Sequence, residues 1–268
     1  MDKNISVLIV NFNSADFIGL SLRALKKLTK NEYDVFIIDN GSKLDDYLKL
    51  KKICDRYNNV FLERWETDLR GSVAHGTALN YLVDKVKTPF FSILDADATW
   101  LIKNWDEILV KRINNSVKII GTQAPEPKPQ DFPLMFAILF ETKTFKSLNI
   151  DFRPKNLKAM QDTGFEMREK YLKAGFIGEN IQMKNTRNYK TGPFGELLVA
   201  EFYLNEDKNI FASHFGRGSS MGQAKYGKEG LLRIICFFPF VGRFLKRAQG
   251  RREKKKWINI CDNIINNQ

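Results

Sequence analysis

Thr88-Pro-Phe-Phe-Ser-Ile-Leu-Asp-Ala-Asp97 is the stretch that decides the fold. Its first seven residues, Thr88 to Leu94, form an apolar run of strand length, and such a run reads as a buried strand. That strand delivers two carboxylates, Asp95 and Asp97, to its C-terminal edge. In open α/β sheets ligands bind at this edge. Paired acids there suit a hard divalent cation and the phosphates it carries. A nucleotide diphosphate is the substrate class that this chemistry suggests.

Working outward, the N-terminal half alternates strand and helix. Ile5–Val10 reads as a buried first strand, followed by the polar exit Asn11-Phe-Asn-Ser14. Ser14 is placed to cap a helix carrying Phe17, Ile18, Leu22 and Leu25. Val35–Ile38 is a second short strand ending in the turn Asp39-Asn-Gly-Ser42. Lys43 to Tyr57 has a helical pattern, Val60–Leu62 a strand pattern, and Ser72 to Val86 a helical one with Ala74, Ala78, Tyr81 and Leu82 on one side. After the Asp95 strand comes a helix around Trp105, Ile108 and Leu109. This alternation predicts an α/β fold with a mostly parallel sheet flanked by helices. The second half is less regular. Residues 123–133 read as a loop, with four of the chain's eight prolines. Leu134–Phe140 reads as a strand, Lys158 to Ala174 as a helix ending at Gly175, and Asn209–Ser213 as a short strand.

The chain has 268 residues, 43% hydrophobic and 28% charged, as expected of one large domain or one domain with an appendage. Three scattered cysteines, Cys54, Cys236 and Cys261, give neither a disulfide framework nor a metal-binding spacing and favour a reducing compartment. The N-terminus runs straight into a strand pattern without a signal peptide, and no apolar run reaches the ~18 residues of a membrane span. The net charge is +12, but between Lys225 and Trp257 eleven basic residues face two acids. That segment holds +9 and leaves +3 for the rest. We therefore divide the chain into a domain over 1–224 and a basic amphipathic C-terminal tail over 225–268.

Several linked pieces resemble the family-2-type inverting glycosyltransferases with the GT-A nucleotide-sugar fold. Val7-Leu-Ile-Val-Asn-Phe-Asn13 is similar to the family's first strand and loop. Phe36-Ile-Ile-Asp-Asn-Gly-Ser42 is similar to its second strand. His75-Gly-Thr-Ala-Leu-Asn80 resembles the segment leading to the metal motif, with Asn80 fifteen positions before Asp95. Ile93-Leu-Asp-Ala-Asp97 resembles that motif. Gln161-Asp-Thr-Gly-Phe-Glu-Met-Arg168 resembles the acid-containing helix beside the acceptor, and His214 stands where many members place a metal-binding His. The likeness covers roughly residues 5–220. Two positions depart from it: Leu79 replaces a frequent Arg, and Gln161-Asp162 replaces a frequent Glu-Asp. The Asp is kept.

The resemblance implies a role for each residue. Asp97 and His214 hold Mn²⁺ or Mg²⁺, the nitrogen ligand favouring Mn²⁺. Asp95 is shared between the ion and the ribose. Asp39 accepts hydrogen bonds from the base or ribose, and Asn11 and Asn13 line the base pocket. Asn80 belongs to the donor-binding segment. Arg70 and Arg217 meet phosphates, Arg217 within a Gly/Ser segment able to fold over a diphosphate. His75 either contacts the diphosphate or caps local structure. Asp162 is the general base, with Glu166 four residues on along the same helical face as the fallback. The implied activity is transfer of a sugar from a nucleotide-diphosphate donor to a glycan or lipid-linked acceptor in bacterial surface polysaccharide synthesis.

Two other activities compete with this one. A sugar nucleotidyltransferase would carry a Gly-rich phosphate loop after the first strand, and Asn11-Phe-Asn-Ser-Ala15 lacks one. A non-catalytic nucleotide-sugar or glycan-binding module would not need Asp97, Asp162 and His214. In the tail, the phenylalanines of Gly230 to Leu245 beside the basic run Lys246 to Lys256 suit an anionic membrane surface. A C-terminal helix packed on the core is the alternative. Nucleic acid is not expected, since no recognition motif accompanies the charge. The chain is thus expected in the cytoplasm, peripheral on the inner face of the membrane.

Overall fold

The computed structural model describes residues 3–159, 161–204, 209–217 and 239–268. The first half follows the expected alternation: β1 (Ile5–Asn11), α1 (Ala15–Leu28), β2 (Tyr33–Asn40), α2 (Leu44–Cys54), β3 (Val60–Trp65), α3 (Gly71–Lys85) and β4 (Phe90–Asp95). The second half runs β5 (Ala98–Trp100), α4 (Trp105–Val110), β6 (Val117–Gln123), β7 (Pro133–Glu141), α5 (Thr142–Ser147), α6 (Met167–Lys173), β8 (Ile177–Asn185), β9 (Ala200–Tyr203), β10 (Ala212–His214) and α7 (Pro239–Asn266). One ten-stranded sheet takes the order β3-β2-β1-β4-β7-β6-β8-β9-β10-β5.

The sheet is α/β and helix-flanked as expected, but it is mixed. Parallel pairing joins β3, β2, β1 and β4, and again β6 with β8. Every other pairing is antiparallel. The cause is the connections: residues 124–132 are too few for a crossover, so β6 and β7 return on each other. Alternation sorts the core. Ile5, Val7 and Ile9 of β1 face α1 and α7, while Leu8 faces α3; in β4, Phe91 and Ile93 join the α3 side and Leu94 the other.

Three local readings change. Ser14 precedes α1 but caps nothing with its side chain. Asn11 Oδ1 accepts the Ser14 N–H at 3.2 Å and the Asp46 carboxylate accepts that of Ala15. The helix expected over 158–174 is reduced to a short 3₁₀ turn at Leu157–Ala159 and α6. Gly164, at φ 74°, sits in the left-handed region and interrupts the helix there. Strands β5, β6, β8 and β9 carried no clear sequence pattern. β8 is mostly polar and is held by neighbours on both sides.

From residue 239 onward the chain packs on the domain. Trp257, Cys261 and Ile265 recur at helical spacing on α7 and are buried in the α1 side of the core. Trp257 meets the rings of Phe17 and Phe215 at 5.6 and 5.9 Å. Arg23 of α1 holds Asp262 in a two-pronged ion pair. The division at 224/225, Cys236 and most of the apolar stretch 230–245 lie outside the described residues. Among the described residues no helix is long and apolar enough to cross a membrane.

Candidate active site

The C-terminal edge of β4 turns through Asp95-Ala96-Asp97 directly into β5. β5 then pairs antiparallel with β10, setting Ala98 opposite His214. This register brings a histidine from far along the chain onto the acid pair. His214 Nε2 lies 3.2 Å from Asp97 Oδ1 and 3.7 Å from Asp95 Oδ2. One ligand atom from each of the three lies within 4.8 Å of the others. Phe136 stacks on the imidazole at 4.1 Å and fixes its plane. Asp97 is held from the other side, its Oδ2 accepting the Arg217 N–H at 2.7 Å and its carbonyl the Phe215 N–H at 2.9 Å. Gly216, at φ 73°, lets the chain turn back over the histidine.

Burial drives the Asp95 carboxyl up to about 7; the nearby His214 opposes this, and Asp97 and Asp162 add to it. Carboxylates crowded in this way are relieved by a bound cation. Two carboxylates and an imidazole form a donor set that fits Mn²⁺ or Mg²⁺.

Asp162 lies just before the turn into α6 and faces the same cleft, which measures about 500 Å³. Its Oδ1 accepts the Ser72 hydroxyl at 2.6 Å and the Thr163 N–H at 2.9 Å, and Lys128 Nζ stands 3.9 Å from Oδ2. Desolvation pushes its pKa up, but these hydrogen bonds and the nearby Lys128 and His75 prevail and hold it below the ordinary aspartate value. Its side chain is 62% exposed, open to an incoming group. His75, at the start of the second turn of α3, lines the cleft too; burial drives its pKa down to about 4 against the charge of Asp162. The imidazole is therefore neutral at pH 7. Arg70 stands at the rim, its Nη1 donating to the carbonyls of Thr67 and Leu69.

Of the other expected residues, only Arg217 reaches this group. Asp39 is fully buried, taking the Asn11 amide at 2.7 Å and the Ser42 N–H at 3.2 Å. Asn13, at φ 52°, receives the Lys43 N–H on its side chain. These three brace the loop beside the cleft, while their neighbours Val10, Phe12 and Asn40 line it. Asn80 points away, bonded to Asp151 and to the Phe152 N–H. Arg217 lines the cleft, but its guanidinium pairs with Glu253 of α7 at 2.8 Å. Glu166 shares no helical face with Asp162: it is buried, accepts the Asp151 N–H and pairs with Lys155 and Lys170. Ser72, Phe136, Phe12 and Leu69 are cleft residues that the sequence did not mark. Only Ser72, at the predicted start of α3, carried any signal.

The sequence model of glycosyl transferase family 2 matches residues 6–176. In fold, the chain is similar to the mannosyltransferase PcManGT from Pyrobaculum calidifontis, solved with GDP-Man and Mn²⁺: TM-score 0.54, 16% identity, covering 67% of this chain and 55% of that one. It is also similar to residues 1–349 of TarS from S. aureus with UDP: TM-score 0.50, 18% identity, covering 65% and 57%. The chain thus spans a little over half the length of these structures. No curated protein matches it in sequence.

Proposed function

The chain belongs to glycosyl transferase family 2, and on that premise we propose that it is a metal-dependent, inverting glycosyltransferase. It moves a sugar from a nucleotide-diphosphate donor to a glycan or lipid-linked acceptor, in the assembly of a bacterial surface polysaccharide. The observation that carries this is one cleft lined by Asp95, Asp97, His214 and, beside them, Asp162. The GDP-Man and Mn²⁺ bound by the Pyrobaculum mannosyltransferase support the choice of donor class.

Asp95, Asp97 and His214 would hold a divalent cation, which would supply Lewis-acid neutralisation of the departing diphosphate's charge. Asp162 takes the proton of the acceptor hydroxyl as that oxygen attacks the anomeric carbon. An ionised carboxylate is a weak base for an alcohol, and it serves because proton loss is concerted with attack. Ser72 and Thr163 aim the carboxylate. A single base with no enzyme nucleophile gives inversion by direct displacement. Neutral His75 donates a hydrogen bond to the diphosphate, and Arg70 meets its charge at the rim. Asp39, Asn11 and Asn13 shape the wall that takes the base. The exposed face of α7, with Phe244, Arg247, Arg251, Arg252 and Lys255, rests on the anionic inner face of the cytoplasmic membrane, near a lipid-linked acceptor.

Thermal shift tests the reading with UDP, GDP and their sugar conjugates, each with and without Mn²⁺. A donor at 100 times its Kd stabilises the fold by about 2.7 kcal/mol. The expected result is a rise in melting temperature for one nucleotide series, dependent on Mn²⁺ and lost in Asp97→Ala. The absence of a shift with every nucleotide would overturn the proposal.

A further inference from the structure

The C-terminal helix reaches the metal-ligand cluster through two separate contacts. Glu253 pairs with the Arg217 guanidinium at 2.8 Å, and the backbone N–H of the same Arg217 holds Asp97 Oδ2 at 2.7 Å. One turn further on, the Trp257 indole N–H donates to Ser213 Oγ at 2.9 Å, and Ser213 immediately precedes His214. Between these contacts Phe215 is packed under Trp257, and its N–H donates to the Asp97 carbonyl. The Arg217 guanidinium lies over the Phe215 ring at 4.1 Å. The segment 213–217 is therefore clamped between α7 and the Asp97 turn, and it carries one ligand while bracing another.

Both contacts are well sheltered. Trp257 is fully buried, and the Arg217 and Glu253 side chains are 3% and 17% exposed. A sheltered ion pair of this kind holds its geometry, since loss of one partner leaves the other charge uncompensated. Groups that orient metal ligands typically change metal affinity 10- to 100-fold when removed.

We infer that Glu253 and Trp257 are positioning residues for the metal site, so that α7 sets the spacing of Asp97 and His214. This rests on the metal reading of Asp95, Asp97 and His214. Neither residue lines the cleft; each acts through the segment 213–217. The C-terminal helix is then part of the binding machinery as well as a cover for the core.

The test is the affinity of the full chain for Mn²⁺ alone, read from the paramagnetic resonance signal of the free ion. Glu253→Ala removes the first contact. Trp257→Phe keeps a buried aromatic ring while removing the indole N–H together with part of the ring, so it serves where Glu253→Ala fails to fold by circular dichroism. Each folded variant is expected to bind Mn²⁺ about tenfold more weakly or worse, with the far-ultraviolet spectrum of the parent. Parental affinity in the folded variants, with binding lost in Asp97→Ala, would overturn this inference and leave the metal site standing. A parent that binds no Mn²⁺ would overturn both.

Discussion

At Asp162, the local hydrogen bonds decide the charge state. Ser72 and Thr163 hold the carboxylate ionised despite partial desolvation. Asp162→Asn keeps the shape and removes the proposed base, so kcat is expected to fall about 10²- to 10⁴-fold with donor affinity unchanged. Steady-state rates beside donor titration check this, and a variant with parental kcat removes Asp162 from the mechanism. His75 makes a different prediction. Its folded pKa is about 4, below the ordinary 6.5. Between those values the unfolded chain binds a proton that the folded chain refuses, so stability falls as pH drops through the window. Melting temperatures from pH 7.5 to 4.5 should decline more steeply for the parent than for His75→Gln; equal slopes would mean that His75 titrates alike in both states. Asp95 and Asp97 stood out in the sequence as paired acids at the end of an apolar strand, whereas Asp162 and His214 were marked through the family resemblance. The place of Glu166 was not legible, because its reading assumed a helix through Gly164, and the broken helix turns it inward to Asp151, Lys155 and Lys170.

The segment leading to Asp162 is tied to α3 at residues 151 and 152. Asn80 bonds both Asp151 and Phe152, and Gly76 leaves room for the Phe152 backbone, which a Cβ would meet at 2.7 Å. Phe152 in turn accepts the Gly164 N–H at 2.8 Å, two residues beyond Asp162. Asn80→Ala leaves the Phe152 N–H without its acceptor and is expected to cost about 1–3 kcal/mol. It should also lower kcat without altering Mn²⁺ affinity, because Asp95, Asp97 and His214 stand on β4, the turn into β5 and β10. Denaturant melts and turnover measurements check the pair, and a drop in Mn²⁺ affinity equal to that in kcat would contradict it. Asn80 drew notice through its distance from Asp95, yet its partners lie more than seventy residues on, where no local pattern points. The same limit hid β5 and β9. Three- and four-residue strands hold no period of their own and exist because β10 pairs with both. The long apolar runs of β1, β4 and β7 were readable because burial on two faces leaves an uninterrupted hydrophobic stretch.

Across the whole molecule, charge and packing divide α7 into two faces. One buries Trp257, Cys261 and Ile265 beside α1; the other exposes Phe244, Arg247, Arg251 and Lys255, spaced by three or four residues along one stripe. The sequence located the excess charge but left open whether this segment packs or lies on a membrane, since composition carries no direction. A helix docked through one face can do both, because its basic stripe points away from the core. Each basic residue near an anionic bilayer contributes about 1 kcal/mol. Replacing Arg247, Arg251 and Lys255 by Gln thus removes about 3 kcal/mol, roughly two decades of affinity, without touching a buried side chain. The parent should float with vesicles containing phosphatidylserine and remain unbound with phosphatidylcholine alone. The triple variant should stay in the dense fraction with an unchanged melting temperature. Raising salt should release the parent, because exposed charges are screened within about 8 Å at physiological ionic strength. Flotation that ignores lipid charge, or that survives the triple substitution, would detach the basic stripe from membrane binding and leave α7 its place against the segment 213–217.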